Sequence, residues 1–274
     1  MNSAREKPRF GIIGLGAITD EIIRTLEDSG TLGRLAGVLV RPARQEEAAR
    51  KAAGRFRIAT TVDALLALEP QVVLECAGHG AMREHAPAVL GRGFDLACSS
   101  VGVLADRDFA REIMRAAKPP AELWIVSGAI AGIDGLLAAR TAGLRRVTYT
   151  SIKPPLAWRG TPAEPKLHEH RTTLFEGTAR EAALAYPQNV NVGATVALAS
   201  LGLDRTTVRL VSDPAASGPL GLIEAEGDFG RLRFEVLAYA SPRNPKTSLL
   251  TAHSMIASTQ EGCRFSGLAT LSGA

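Results

Sequence analysis

The sequence predicts an α/β domain with a doubly wound parallel sheet, followed by an α+β domain with a mainly antiparallel sheet. Two observations support the first domain. Short apolar segments typical of buried strands alternate with segments of helical periodicity up to about residue 126. Small residues follow most of these strands. From about residue 146 the pattern changes, which indicates the second domain. Residues 146–152 alternate like a half-exposed antiparallel strand, and residues 207–211, 221–225 and 230–240 are predicted to form the three strands of a meander.

The first strand, turn and helix carry the clearest functional pattern. Residues 10–13 are apolar, a Gly-Leu-Gly turn occupies 14–16, and apolar residues then recur at helical spacing. This order is typical of a Rossmann-type dinucleotide-binding unit, in which backbone N–H groups at the helix start hold the pyrophosphate. The predicted coenzyme contacts here are Gly14, Gly16, Ala17 and Ile18. Because Thr19 occupies the third glycine position, the fingerprint is partial, and a tight turn in another α/β fold is the alternative.

The end of the second strand bears on the choice of coenzyme. A dinucleotide fold usually places a carboxylate there to bind the adenosine ribose. This chain has Arg41 and Arg44 instead. Two arginines favour the 2′-phosphate of NADP over NAD, and we predict a coenzyme contact from Arg41. Arginines of a solvated loop are the alternative interpretation.

A third strand over residues 71–76 ends in Ala77, Gly78 and His79. Residues at the carboxyl ends of such strands face the coenzyme crevice, so Ala77 and Gly78 are predicted coenzyme contacts. His79 is placed to contact the nicotinamide or the substrate. A structural histidine in a glycine-rich turn is the alternative.

Composition excludes several classes of protein. The net charge of +4 is spread over many arginines, with no basic block interleaved with aromatics, so nucleic-acid binding is unsupported. Three distant cysteines predict neither a disulfide framework nor a zinc site. His168 and His170 have ligand-like spacing, but a solvated loop explains them more simply, and no metal is predicted. No signal-peptide pattern and no apolar run of membrane-spanning length occurs, so we expect a cytoplasmic protein without membrane contact.

Seven short strings, taken together and in order, resemble the L-aspartate dehydrogenase family. The strings are Glu75–His79, Ser127–Gly132, Tyr149–Pro155, Phe175–Gly177, Tyr186–Val192, Val211–Pro214 and Asn244–Ser248. The resemblance extends from near residue 9 to near residue 258. It implies NAD(P)-dependent oxidation of L-aspartate to iminosuccinate, which yields oxaloacetate and ammonia.

The resemblance also implies how the chain is organised and which residues bind ligands. The dinucleotide-binding domain is expected over residues 1–127, with 245–274 returning to it, and a substrate and dimerisation domain over 128–244. A homodimer and a small amino-acid, keto-acid or imino-acid substrate are therefore expected. Further predicted coenzyme contacts are Ala129 and Asn191. The predicted substrate contacts are Lys153, Asn189 and Lys246.

One departure from the family places its chemistry in question. In the family, an Asn-x-His string follows the Asp-Pro string, and its histidine is the catalytic residue. The register of this chain puts Pro219 and Gly221 at these two positions. Neither side chain can exchange a proton, so the catalytic position is chemically empty. His79 and Lys153 are the candidate substitutes, and Lys246 is a third.

Several functions therefore remain open at the level of sequence. The chain is a competent amino-acid dehydrogenase with another proton acceptor, or an impaired one, or one whose substrate has changed because Gly221 opens space. The alternative from a different class is a nucleotide-binding paralogue with little turnover that acts by regulation or assembly. Glycerol-phosphate and sugar dehydrogenases of similar two-domain construction are a weaker fourth possibility.

Overall fold

The computed structural model describes residues 8–241, 244–260 and 263–272, and for residues 240–241, 244–247 and 272 only the backbone. The chain divides into two compact units. The first comprises the described residues up to Ser100, together with Glu112–Val126 and Ala252–Ser266. The second comprises Val101–Arg111, Ser127–Thr251 and the described residues from Gly267 onward. The domain limits expected from the sequence, at residues 127 and 244, stay a prediction.

The first unit contains a seven-stranded sheet. Its strands are β1 (Phe10–Ile13), β2 (Leu35–Leu39), β3 (Arg57–Ala59), β4 (Val72–Glu75), β5 (Asp95–Cys98), β6 (Leu123–Val126) and β14 (Arg264–Ser266). The spatial order is β14-β6-β5-β4-β1-β2-β3, and all neighbours are parallel except β14 and β6. The order 3-2-1-4-5-6 is that of a doubly wound dinucleotide-binding sheet, so the predicted fold class is confirmed for this unit.

Ten α-helices occur in the described part of the chain. They are α1 (Ala17–Asp28), α2 (Gln45–Ala52), α3 (Val62–Leu66), α4 (His79–Gly91), α5 (Arg107–Ala116), α6 (Ile133–Thr141), α7 (Ala179–Ala185), α8 (Asn191–Ala199), α9 (Leu249–Gln260) and α10 (Gly267–Ser272). Helix α1 buries Ile22, Ile23 and Leu26 in the same cluster as Phe10 and Ile12 of β1. That apolar stripe at helical spacing is the pattern that predicted the helix. In the part of the chain that the structure describes, no helix combines the length and apolarity needed to cross a bilayer.

The second unit contains a five-stranded sheet. Its strands are β7 (Leu144–Lys153), β8 (Thr172–Thr178), β9 (Thr207–Ser212), β10 (Leu220–Gly227) and β11 (Gly230–Leu237), and a separate pair is formed by β12 (Ala240–Ser241) and β13 (Asn244–Ser248). The order is β11-β10-β7-β9-β8, in which only β7 and β9 are parallel. A mainly antiparallel sheet was predicted for this part of the chain, and it is confirmed.

Two details of the prediction for this sheet are wrong. The last three strands were expected to form a meander, but β7 lies between β9 and β10. Strand β7 was also expected to be half-exposed, whereas residues 149–152 are buried without interruption. A strand buried on both faces belongs in the centre of a sheet, which is the position that β7 takes.

Small residues allow α8 to lie close to this sheet. A Cβ atom on Gly193 would lie 3.2 Å from Cδ1 of Tyr149 in β7 and 3.3 Å from Cγ2 of Val208 in β9. These separations are tighter than ordinary side-chain contacts, so the close approach depends on glycine. The small residues of α8 thus serve its close packing on the sheet.

A buried carboxylate joins two strand ends in the first unit. Glu75, the last residue of β4, is fully buried. Its Oε1 accepts hydrogen bonds from the backbone N–H groups of Ala77 and Gly78, both at 2.8 Å, and from Oγ of Ser100 at 3.1 Å. Its Oε2 accepts the backbone N–H of Ser100 at 3.0 Å. The residues that follow β4 and β5 are therefore held by one side chain.

We expect Glu75→Gln to lower the free energy of unfolding by about 1.5–3 kcal/mol, since an amide nitrogen cannot accept the hydrogen bonds that a carboxylate oxygen receives. Urea unfolding would measure the change. Glu112→Gln is the matched control, because Glu112 is exposed and such substitutions stay within about 0.5 kcal/mol. Equal unfolding midpoints for the two variants would contradict the structural role of Glu75.

Candidate active site

The glycine turn after β1 is packed against the turn after β4. Gly14 has a φ of +95°, and a Cβ atom there would lie 2.6 Å from Cβ of Ala77. Its N–H group donates to the carbonyl of Leu39 at 2.8 Å. Both the positive φ and the close approach require glycine at this position.

Thr19 explains the departure from the dinucleotide fingerprint. The side chain is fully buried, and its Oγ1 donates to the carbonyl of Gly14 at 2.8 Å. In the fingerprint, the third glycine serves the close packing of helix and strand. Here a hydroxyl inside that contact ties the helix to the turn. The third glycine of the motif is absent, and a hydrogen bond from Thr19 holds the helix against the turn in its place.

The start of α1 is open to a ligand. Gly16 is exposed at the N-cap, no side chain caps the helix, and a Cβ atom there would meet nothing within 4 Å. Ala17 and Ile18 in the first turn are partly exposed. Uncapped N–H groups and the positive end of the helix dipole suit a phosphate. The residues at this turn thus have the geometry to hold the pyrophosphate of a dinucleotide, and contact with the coenzyme stays a prediction.

The two arginines beyond β2 differ in their surroundings. Arg41 is exposed, and no ion pair involving it occurs among the described residues. Arg44 donates to both carboxylate oxygens of Glu47, at 2.7 Å and 3.1 Å. Exposed ion pairs of this kind contribute little free energy, so a phosphate can compete for Arg44.

The turn after β4 combines Ala77, Gly78 and His79. Ala77 is exposed, and Gly78 has a φ of +99°. His79 is half-buried and is the first residue of α4. The placement of His79 at a strand end is the one expected, and its catalytic role stays a prediction.

In the second unit, Ala129 and Asn191 lie on separate elements. Ala129 is half-buried in the loop after β6, between Gly128, whose φ is +68°, and the buried Ile130. Asn191 is the first residue of α8, as predicted, and its Oδ1 accepts the backbone N–H of Gly102 at 2.9 Å. This bond fixes which way the amide points. Coenzyme contact by both residues stays a prediction.

Neighbouring side chains pack closely around Gly221, the residue predicted to align with the family's catalytic histidine. Gly221 is buried in β10, opposite Ser151 of β7. A Cβ atom at residue 221 would lie 2.9 Å from Cδ1 of Ile130 and 3.4 Å from the hydroxyl of Tyr149. Burial raises the pKa of Tyr149 to about 12, an effect that its hydrogen bond with Ser151 partly opposes. The phenol is therefore neutral near pH 7 and is no substitute for the imidazole as a base.

The predicted substrate residues differ in how firmly they are placed. Lys153 ends β7, is half-buried, and has its Nζ 5.3 Å from the ring centroid of Trp158. Burial lowers the pKa of Lys153 to about 8. Asn189 is half-buried, and its Nδ2 donates a long hydrogen bond of 3.5 Å to the carbonyl of Ala157. The side chain of Lys246 lies outside the described residues.

The histidine pair shows no sign of metal ligation. His168 and His170 are exposed, and their rings stack in parallel with centroids 5.2 Å apart. Among the residues described, no group of three or more histidine, cysteine, aspartate or glutamate side chains is arranged to hold a metal ion.

Sequence reasoning assigned no individual role to four buried polar residues. They are Glu75, Tyr149, Trp158 and Ser212. Glu75 has a recognisable signal, because a carboxylate inside an otherwise apolar strand needs several hydrogen-bond donors. The others depend on contacts between distant segments, which no local pattern reveals.

Two glycine substitutions should separate coenzyme binding from folding. Gly16→Val should leave the fold intact, because the site is open, and should weaken coenzyme binding about tenfold or more by blocking the approach of the pyrophosphate. Gly14→Ala should instead destabilise the protein by about 2 kcal/mol or more through strain and overlap with Ala77. Coenzyme titration and urea unfolding would measure the two effects. Unchanged coenzyme affinity in folded Gly16→Val would contradict the assigned phosphate site.

Comparisons with known proteins identify the family of this chain. Residues 134–262 match the family model described as the C-terminal region of aspartate dehydrogenase, and residues 14–126 match that of the NAD binding domain of homoserine dehydrogenase. The L-aspartate dehydrogenase of Ruegeria pomeroyi is 41% identical over 261 residues, which cover 93% of each chain. That of Ralstonia nicotianae is 40% identical over 255 residues, covering 89% of this chain and 94% of the relative.

A solved structure supports the fold. The aspartate dehydrogenase of Thermotoga maritima aligns with a TM-score of 0.72 at 23% identity, covering 92% of this chain and 95% of that one. Together with the sequence relatives, these findings confirm the family that the seven strings predicted. The chain belongs to the L-aspartate dehydrogenase family, and it is an NAD(P)-dependent oxidoreductase that acts on an amino-acid donor.

Proposed function

We propose that the chain oxidises L-aspartate to iminosuccinate with NADP⁺ as the preferred coenzyme, and that Gly221 makes this reaction slow. The observation that carries the proposal is the combination of a complete dinucleotide turn with a catalytic position that has no side chain. Hydrolysis of the imine product yields oxaloacetate and ammonia. We also propose that the protein is a cytoplasmic homodimer, for which the family resemblance is the support.

The dinucleotide turn supports hydride transfer. When bound, the nicotinamide coenzyme accepts the hydride that leaves the substrate carbon. The chain's own part is to hold and orient this coenzyme, through the turn at Gly14 and Gly16 and the exposed face of Ala77. We assign Ala129 and Asn191 to the same task in the second unit. Positioning of this kind supplies much of the rate of a hydride transfer.

The absent imidazole affects the proton, not the hydride. The substrate ammonium must lose a proton before the carbon–nitrogen double bond forms, and a positioned base contributes about 10² to 10⁴ in rate. Gly221 offers no such group, and the neutral hydroxyl of Tyr149 does not replace it. His79 and Lys153 remain the candidate acceptors. With a pKa of about 8, Lys153 is mostly protonated at neutral pH, which suits carboxylate binding better than proton abstraction.

The same observation favours one second candidate function. A protein that has kept its coenzyme turn and lost its proton acceptor is also what a nucleotide-binding paralogue with little turnover would present. Coenzyme binding by titration, without oxidation of aspartate or of any other amino acid in a panel, would favour this alternative over the dehydrogenase.

Restoring the family residues should raise the rate of aspartate oxidation. Pro219→Asn with Gly221→His supplies the missing imidazole, and Ile130→Ala provides room because Cδ1 of Ile130 would otherwise lie 2.9 Å from the new Cβ. We expect the triple variant to exceed the unmodified protein by about 10² or more in kcat, measured by absorbance of the reduced coenzyme.

Two further variants serve as controls for this restoration. Ile130→Ala alone tests the added space, and Gly221→Ala with Ile130→Ala adds a Cβ without the imidazole. Neither should raise the rate. Rapid aspartate oxidation by the unmodified protein would contradict the proposal that Gly221 limits turnover.

The coenzyme preference should depend mainly on Arg41. We expect Arg41→Ala to weaken NADP⁺ binding about 10- to 100-fold while changing NAD⁺ binding little, because only NADP⁺ carries the 2′-phosphate. Arg44→Ala should have a smaller effect, since Arg44 already pairs with Glu47. Exposed Arg50, on α2, provides the control variant Arg50→Ala. Equal losses for both coenzymes would refute the preference.

A further inference from the structure

We propose that Gly221 and Phe234 are positioning residues for the loop over residues 128–132. Through this loop they set how tightly the nicotinamide half of the coenzyme is held. The inference rests on the proposed function, in which Ala129 of this loop contacts the coenzyme. It gives Gly221 a second consequence besides the missing imidazole. The loop, Gly221 and Phe234 all belong to the second unit.

The loop is bounded by two glycines whose backbone conformation side chains rarely adopt. Gly128 has a φ of +68°, and Gly132, the N-cap of α6, has a φ of +82°. Between them, Ile130 is buried whereas Ala129 is half-buried. Since neighbouring residues share a peptide bond, the packing of Ile130 governs where Ala129 is presented.

Gly221 allows Ile130 to pack against the sheet. A Cβ atom at residue 221 would lie 2.9 Å from Cδ1 of Ile130, which is closer than packed carbon atoms approach. The next atoms, the hydroxyl and Cε2 of Tyr149, would lie at 3.4 and 3.5 Å, which is ordinary contact. Any side chain at residue 221 would therefore displace Ile130 first. The observed position of the loop depends on glycine here.

Phe234 contacts the other end of the loop. Its ring fills a notch formed by two glycines at the start of α6. A Cβ atom on Gly132 would overlap this ring, and one on Gly135 would lie 2.9 Å from its Cζ. The ring thus packs directly on the backbone where the loop becomes a helix. Removal of the ring would leave that backbone without its packing partner.

The two contacts are on one face of the five-stranded sheet. Gly221 precedes Ile223 by two residues on β10, and Ile223 is paired with Phe234 of β11. Residues two apart on a strand project from the same face, as do residues paired across an antiparallel ladder. Gly221 and Phe234 therefore share a face. The loop is held on that face at Ile130 and at Gly132, so a displacement at either point moves the loop.

The position of this loop matters for one half of the coenzyme only. Ala129 offers a ligand its methyl group and its backbone, and it has no longer side chain that could adjust to a displaced partner. The pyrophosphate is instead assigned to the turn at Gly14 and Gly16 in the first unit. A displaced loop should therefore weaken binding of the nicotinamide half and leave binding of the adenosine half unchanged.

The test compares NADPH with 2′-phospho-ADP-ribose, in which a hydroxyl group replaces the nicotinamide. Calorimetric titration measures the affinity of both ligands without turnover. We expect Phe234→Ala to weaken NADPH binding about tenfold and to change binding of 2′-phospho-ADP-ribose by less than about twofold. Gly221→Ala should have the same selective effect, because its Cβ displaces Ile130.

A compensating substitution should restore the affinity for NADPH. Ile130→Val removes Cδ1, the atom nearest to the Cβ that Gly221→Ala adds, and keeps the branched side chain. Gly221→Ala combined with Ile130→Val should therefore bind NADPH within about threefold of the unmodified protein, whereas Gly221→Ala alone should not. General destabilisation would not be reversed by a second core substitution of this kind.

Phe175→Ala is the matched control for Phe234→Ala. Both phenylalanines are half-buried in edge strands of the five-stranded sheet. Each packs on glycine, since a Cβ atom on Gly177 would lie 2.8 Å from Cζ of Phe175. Both variants should lower the midpoint of urea unfolding. Phe175→Ala should nevertheless leave the affinities for both ligands unchanged, because its ring does not contact the loop.

Three outcomes would overturn the proposal. Unchanged NADPH affinity in folded Phe234→Ala and Gly221→Ala would show that these residues do not position a coenzyme contact. Equal losses for NADPH and 2′-phospho-ADP-ribose would show that the variants act on the whole fold. Failure of Ile130→Val to restore the affinity of Gly221→Ala would remove the role given to Gly221.

Initial rates of amino-acid oxidation on the same samples judge the proposed function separately. Oxidation of an amino acid without the selective loss of NADPH affinity refutes the positioning role alone. A selective loss of NADPH affinity in the variants, with no turnover by the unmodified protein, refutes the dehydrogenase function alone.

Discussion

The buried carboxylate of Glu75 is the interaction on which the first unit's ligand-facing edge depends. Four hydrogen bonds from Ala77, Gly78 and Ser100 end on its two oxygens. These hydrogen bonds hold the turns after β4 and β5. Ala77 also packs against the glycine turn after β1. Three neighbouring strand ends are thus shaped by one contiguous set of contacts. These contacts fix the arrangement of the residues that follow the three strands.

In the second unit the comparable constraint is the burial of β7. The strand occupies the centre of the sheet and brings Tyr149, Ser151 and Lys153 to one face. Polar groups buried in this way need hydrogen-bonding or ion-pair partners, and only some of them have one. Tyr149 and Ser151 bind each other, while Lys153 has no acidic partner among the described residues.

The family relationship and the local chemistry therefore point in different directions at one residue. Identity of about 40% over most of the chain shows the family, and the glycine turn leads into an uncapped helix start. At Gly221, however, the space next to the backbone is taken by Ile130 and Tyr149. Membership of a family establishes the fold and the cofactor class more firmly than it establishes the rate of a reaction.

The sequence by itself determined the parts of this protein that depend on local periodicity. Alternating apolar strands and amphipathic helices predicted the parallel sheet, and the glycine turn predicted the start of α1, because both patterns lie within a few consecutive residues. Tertiary structure alone decided which strands pair, so the central place of β7 between β9 and β10 was missed. It also decided which residues surround Lys153, since strand register pairs it with Ser212 and loop packing places the ring of Trp158 beside it, although these segments lie apart in the chain. The physical reason is that strand pairing and burial are properties of the whole fold, which no local sequence pattern contains.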